Sequence, residues 1–444
     1  MSENYHTMLQ QAHNDFAQGD PQKAFQTFRP VLSYPGMVKG LAAFTDALHI
    51  FSEIGKAIVG ENFASLIDSV ARNPEKADTL YKLGYELIEQ ELPDLAATVL
   101  TRAFALAPRD EGILTELVTA LGKNLRYDEA CRLLWAHPLL LKQSFLCRYL
   151  LAFNSIMIGD LTTPRALLPA LQQSQEKDHL PLSERISGML GRADVLSGTS
   201  PLDNRDLRGW HFVLTGGLLL HLSPHGFDEG MYGRYAFVQD SPALCMEGIQ
   251  RLKTVFDVLQ LNIPRIYVLP DRSSAILAHA IAQIFHCPLV SWPDEGSTEK
   301  GLIVAYDLGE LDNELLITLS KHQPGQILWS HATCWTRAFP FTADLTTFQY
   351  QINKSPWGER MTIDRQSGKV IMSPLDDRAT EVLASEIIQT ELPPDTLTDL
   401  PLLQKFAQAT ATITNDDATA GLFRSHGNRR KQWEGSPVFS SHFL

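Results

Sequence analysis

The chain holds 444 residues, enough for two or three domains of ordinary size, which excludes a single small module. Hydrophobic residues make up 44% and charged residues 20%, enough apolar material for a sizeable core and too much for a wholly disordered chain. Thirty-eight Lys and Arg against 51 Asp and Glu give a net charge of -13, a balance that argues against a protein living on nucleic-acid phosphates.

The N-terminus, MSENYHTMLQQAHNDF, places acidic and amide residues where a secretory leader carries a basic flank and an apolar run. The most apolar stretch, residues 212–222, is too short to span a bilayer. The cysteines (Cys131, Cys147, Cys245, Cys287, Cys334) form no CxxC pair, so neither a disulfide framework nor a thiolate zinc site is readable and no metal site is expected. A soluble, cytoplasmic protein without a membrane partner is expected.

From residue 1 to about 196 apolar residues recur at helical spacing, which predicts an all-helical half. Leu80, Leu83, Leu87, Ala96 and Leu100 fall on Leu114, Leu117, Leu121, Ala130 and Leu134 at a shift of 34 residues. The segment LYKLGYELIEQELPDLAATVLTRAFALAP resembles a tetratricopeptide repeat (TPR), with Leu80, Leu83, Gly84, Ala96, Ala103 and Pro108 at the signature positions. Related patterns lie around Gly19-Asp20 and Gly159-Asp160, while residues 41–70 supply two helices that fit the period poorly. The resemblance implies an α-solenoid of about five helix pairs whose groove receives a protein or peptide partner.

Ser, Gly, Thr, Pro and Asn cluster at 197–204, and the period changes after them. The expected layout is a TPR-like helical domain over 1–196, a linker over 197–208, an α/β domain over 209–420 and a basic, aromatic tail over 421–444. Residues 212–222 read as a buried strand. Ser241-Pro242 reads as a helix start, followed by strands at 265–269, 288–292, 301–306 and 326–331 with helices over 274–285 and 313–321. Strands alternating with helices predict a mostly parallel sheet, whose ligands bind at the carboxyl ends of the strands.

Two such ends carry candidate chemistry. Asp271, Arg272, Ser273 and Ser274 link a strand to a helix, where amide hydrogens, hydroxyls and a guanidinium suit an anion. Asp307 ends the strand GLIVAY and suits a ribose hydroxyl or a Mg²⁺-bound water, with helix capping as the plainer role. Over about 242–333 the chain resembles the core of type I phosphoribosyltransferases, which implies a pyrophosphate loop at Asp271 to Ser274 and one of two paired acids at Asp307. Tyr306 stands where the second acid would be, and Leu308-Gly309-Glu310-Leu311 lacks the family's phosphate-wrapping threonines and glycines.

His225, Asp228, Glu229 and Arg234 sit in a glycine-rich loop that suits a lid or a packed connection. Trp329, Trp335, Phe339 and Phe341 around His331 read as hydrophobic packing. After residue 341 an antiparallel pattern is expected, with a hairpin over 361–372 and helices over 376–389 and 402–413. The tail carries Arg424, Arg429, Arg430 and Lys431, for contact with an anion, a nucleic acid or a partner, or for docking on the protein's own acidic surface through Phe423, Trp433, Phe439 and Phe443. The expected function is a protein–protein interaction scaffold. The alternative is a phosphate-sugar or nucleotide-binding enzyme, with Mg²⁺ as cofactor, regulated by the repeats.

Overall fold

A computed structural model describes residues 2–36, 40–225, 230–364, 368–411 and 427–442. The chain divides into two compact units, Met1–Ser183 and Glu184–Leu444. The division falls inside a helix, upstream of the turn-rich cluster at 197–204.

The first unit is built of helices packed on their neighbours in sequence: α1 (Ser2–Ala17) on α2 (Pro21–Leu32), α3 (Leu41–Ile58) on α4 (Glu61–Arg72), and α5 (Ala77–Glu89) on α6 (Pro93–Leu106). Next come α7 (Glu111–Lys123), α8 (Tyr127–Trp135), the short α9 (Pro138–Gln143), and α10 (Phe145–Met157) packed on α11 (Thr162–Gln172). Several starts are written in the sequence. Asp20, Asp110 and Ser144 cap amide hydrogens at α2, α7 and α10, and Pro21, Pro93 and Pro138 occupy first-turn positions that need no donor.

The 34-residue period reappears in the backbone. Glu91, Leu125 and Gly159 follow one another at that interval and adopt left-handed φ values of 57°, 58° and 85°, each turning the first helix of a pair into the second. Gly84 lets α5 and α6 approach closely, since a Cβ there would lie 2.4 Å from Leu100 Cγ. Leu80, Leu83, Leu87, Ala96, Leu100, Leu114, Leu117 and Leu121 all lie in one buried core.

The second unit begins with α12 (Leu180–Val195) and α13 (Leu207–Thr215). Of the strand expected over 212–222, residues 212–215 are the last turn of α13 and only β1 (Leu218–Leu219) is strand. Asp206 caps α13 by accepting from the Gly209 amide, and Gly216 at φ 77° closes it. Because every residue of α13 is buried, its apolar run carried no one-sided periodicity to separate helix from strand.

The remaining strands are β2 (Tyr235–Gln239), β3 (Ile266–Val268), β4 (Leu289–Ser291), β5 (Gly301–Asp307), β6 (Gln326–Cys334) and β7 (Leu345–Lys354). They form a seven-stranded parallel sheet in the order β1-β7-β6-β5-β3-β4, with β2 pairing the second half of β7. The antiparallel pattern expected after 341 is corrected here: β7 runs parallel to β6 and carries buried Thr346, Thr347 and Gln349, polar residues that hid an inner strand. Only β8 (Arg360–Ile363) and β9 (Val370–Ser373) form the expected hairpin.

Helix α14 (Pro242–Val258) leads to β3, α15 (Arg272–Phe285) to β4, and α16 (Asn313–Leu319) to β6, while α17 (Thr380–Gln389) and α18 (Leu400–Thr410) follow the hairpin. Strands β3 and β5 are neighbours, yet the chain leaves β3 toward β4 and β5 toward β6. The topological switch point therefore lies at their carboxyl ends, where residues 271–274 and 307–310 sit. Among the described residues no helix is long and apolar enough to cross a membrane.

Candidate functional site at the carboxyl ends of the strands

Asp271 caps α15 through Oδ1, 2.8 Å from the Ser274 amide, and its buried Oδ2 has no hydrogen-bond partner. Ser274 Oγ accepts the Tyr306 amide at 2.9 Å and Ser273 Oγ accepts Trp357 Nε1 at 2.9 Å. Arg272 Nη2 donates to the carbonyls of Asp376 and Arg378, both at 2.7 Å. The groups suited to an anion are thus engaged in tying the loop to β5 and to the segments flanking the hairpin.

Asp307 is 3% exposed; its carboxylate accepts the Gly309 amide at 2.9 Å and the Tyr350 hydroxyl. Burial pushes its carboxyl up to about 6, against the pull of the Tyr350 hydrogen bond. Loss of hydration, then the charges of Asp307 and Asp271, push Glu310 up to about 7, although its residue surface is exposed and water screens part of that effect. Three acidic side chains gathered at these strand ends disfavour a phosphate.

On the other face of β5, where Tyr306 points away from the side taken by Asp307, lies a second cluster. Asp240 follows β2, Cys245 is in the first turns of α14, Tyr306 is on β5, His331 on β6 and Asn353 on β7. Asp240 Oδ2 stands 2.8 Å from the Tyr306 hydroxyl, 3.2 Å from His331 Nε2 and 3.7 Å from Cys245 Sγ, while Oδ1 accepts the Ser241 amide at 2.7 Å. Asn353 Nδ2 donates to the Tyr306 hydroxyl at 2.9 Å. Asp240, Cys245, Tyr306 and His331 are all buried. Burial, then the Asp240 charge, hold both the Cys245 thiol and the Tyr306 phenol well above their ordinary ranges. Gly248 makes room for the imidazole, since a Cβ there would fall 2.8 Å from His331 Nδ1.

Trp357 roofs this cluster, its ring 5.3 Å from that of Tyr306. Beyond it is a cavity of about 280 Å³ lined in part by Pro242, Trp357, Ser373, Asp376, Arg378 and Glu386. In the sequence Cys245 belongs to no CxxC pair and His331 stands among aromatic residues. No local spacing brings either to Asp240.

No protein-family model and no curated protein matches the chain. Solved structures do match. One, reported as the functional characterization of Pseudomonas aeruginosa pilF, is 15% identical over 44% of this chain and 89% of its own, with a TM-score of 0.25. A tetratricopeptide repeat protein from Parabacteroides merdae is 16% identical over 43% of this chain and 72% of its own, also with a TM-score of 0.25. Likeness at that level carries no argument about function, and the helical-repeat description rests on the helices themselves.

The remaining candidates lie apart from the Asp307 crevice. In the glycine-rich loop the His225 amide donates to Ser223 Oγ at 3.2 Å, and Asp228 and Glu229 lie outside the described residues. Arg234 is buried; it donates to the Val438 carbonyl at 2.9 Å and to the Ser440 hydroxyl at 2.6 Å, and its guanidinium lies 4.8 Å from the Trp335 ring. Burial lowers its pKa to about 9.

In the tail Arg429 pairs with buried Asp344 and donates to the Leu319 carbonyl at 3.0 Å. The Arg430 carbonyl accepts the Thr342 amide at 2.8 Å, and Lys431 Nζ is 5.0 Å from the Trp433 ring. Arg424, Phe423 and Phe443 lie outside the described residues. Phe439, expected as an anchor, is 71% exposed, and its neighbour Val438 is the buried one.

Proposed function

We propose that the protein is an interaction scaffold whose helical-repeat unit receives a protein or peptide partner and whose α/β unit offers a second surface. The observation that carries this reading is a pocket of about 370 Å³ in the first unit. Tyr34, Phe104, Leu117, Leu121, Glu129 and Leu133 are among its lining residues, so an apolar floor meets a polar rim. Such a site suits an apolar side chain presented by a peptide.

The second surface is the hairpin β8–β9. Ile363, Val370, Ile371 and Met372 are each more than half exposed there, more apolar surface than a two-stranded ribbon usually leaves to water. A phosphoribosyltransferase-like, Mg²⁺-dependent reaction receives less support, because the Arg272 guanidinium and the Ser274 amide already donate within the chain, the Ser273 and Ser274 hydroxyl oxygens already accept, and the neighbouring carboxylates disfavour phosphate.

The test compares full-length wild type with Thr101→Arg/Leu133→Glu, which places charge in the pocket wall, as baits for partners. A partner that binds both equally removes the pocket from the proposal.

A further inference from the structure

We propose that Asp240, Cys245 and His331 form a structural zinc site in the α/β unit, with the Tyr306 hydroxyl as fourth donor. The ligand atoms of the three side chains all lie within 4.8 Å of one another, and all three residues are buried. They come from a loop, a helix and a strand, so the sheet must be assembled before they meet.

Two of the spacings match tetrahedral edges. With metal–ligand bonds of about 2.1 Å to nitrogen or oxygen and about 2.3 Å to sulfur, tetrahedral edges are about 3.4 Å between imidazole nitrogen and carboxylate oxygen and about 3.6 Å between thiolate and carboxylate. The corresponding separations are 3.2 Å and 3.7 Å. The Tyr306 hydroxyl, 2.8 Å from the same carboxylate oxygen, supplies the remaining corner after a small outward shift.

The hydrogen-bond inventory points the same way. Tyr306, His331 and Cys245 all converge on Asp240 Oδ2, three potential donors on an oxygen with two lone pairs. A cation held between these atoms turns all three crowded groups into ligands beside the carboxylate. Charge balances too: a carboxylate and a thiolate neutralise a dication, while the imidazole and the phenol remain neutral, so no net charge is left in the core. His331 Nδ1 lies against Gly248, so Nε2 is the ring nitrogen that faces Asp240. A mixed sulfur, nitrogen and oxygen set selects zinc over magnesium or calcium, which take oxygen ligands. Complete burial leaves no open position for substrate, hence a structural role.

The full-length chain, produced without a histidine tag and dialysed against a weak chelator, is analysed by elemental mass spectrometry. About one zinc per chain is expected. Cys245→Ser and His331→Gln should each lower it at least tenfold, and Cys334→Ser should leave it unchanged. Wild type produced in cobalt-supplemented minimal medium provides a readout independent of whether those variants fold: a thiolate-to-cobalt charge-transfer band is expected. Folded wild type without metal and without that band overturns the proposal, as does zinc retained in both Cys245→Ser and His331→Gln.

Discussion

Replacing Arg429 by alanine strands the Asp344 carboxylate, which is 8% exposed at the entry to β7. Removing one partner of a buried ion pair costs about 3–5 kcal/mol. Asp344 keeps the Leu328 amide at 2.7 Å and His322 Nε2 at 3.6 Å, which places the cost at the lower end, about 3 kcal/mol. The hydrogen bond from Arg429 Nε to the Leu319 carbonyl is lost as well, for about 1 kcal/mol more. At about 1.4 kcal/mol per factor of ten, the combined loss of about 4 kcal/mol raises the undocked population of the tail roughly 700-fold. Limited proteolysis with thermolysin, under conditions where the tail recloses faster than it is cut, reads that population directly. Cleavage within 427–442 should accelerate by about that factor in Arg429→Ala, whereas exposed Lys431→Ala should change it by no more than about fivefold, since an exposed cation–π contact is worth about 0.5–1 kcal/mol. Equal cleavage of wild type and Arg429→Ala, or equal acceleration by both variants, would refute the assignment of Arg429 as the buried anchor.

Gly84→Ala forces a methyl to within 2.4 Å of Leu100 Cγ at the α5–α6 crossing. A contact that short puts the strain at the upper end, about 3 kcal/mol, offset by about 1 kcal/mol of better helix propensity, so urea unfolding followed by helical circular dichroism should show a net loss of about 2 kcal/mol. An unchanged midpoint contradicts the close crossing. For Asp307 the folded carboxyl titrates near 6 instead of 3.8, so the fold favours its protonated form. Stability from this group is present in full below pH 3.8 and is lost as pH rises through about 6, a span worth about 3 kcal/mol. Asp307→Asn should therefore be the more stable protein at pH 7.5 and lose that advantage at pH 3.5. Denaturation curves with the same difference at both values would contradict it.

The helical half was legible because its helices bury one face and expose the other, which writes a 3.6-residue period and, through Gly84, Ala96 and Ala103, a repeat signature. Even its turns left a trace, at Gly19-Asp20 and Gly159-Asp160, although nothing in Glu91 or Leu125 announces a left-handed backbone. The second half was legible where strands were uniformly apolar, as in β5, and where caps were explicit, as at Ser241-Pro242. It failed at α13, buried all round, and at β7, whose inward Thr346, Thr347 and Gln349 look like surface residues in sequence. The strand-end residues Asp271 and Asp307 were found because loops after strands are short and polar. Asp240, Cys245 and His331 were not, because only the parallel sheet brings them together, and no local spacing encodes that meeting.

The central claim is that the pocket between α6, α7 and α8 holds a partner. Quantitative affinity capture with full-length wild type and with Thr101→Arg/Leu133→Glu, followed by binding of the purified partner to each, tests it most directly. A partner should bind wild type and bind the paired substitution at least tenfold more weakly, with the fold of the variant preserved by circular dichroism. A partner that binds the variant as tightly as wild type would contradict it.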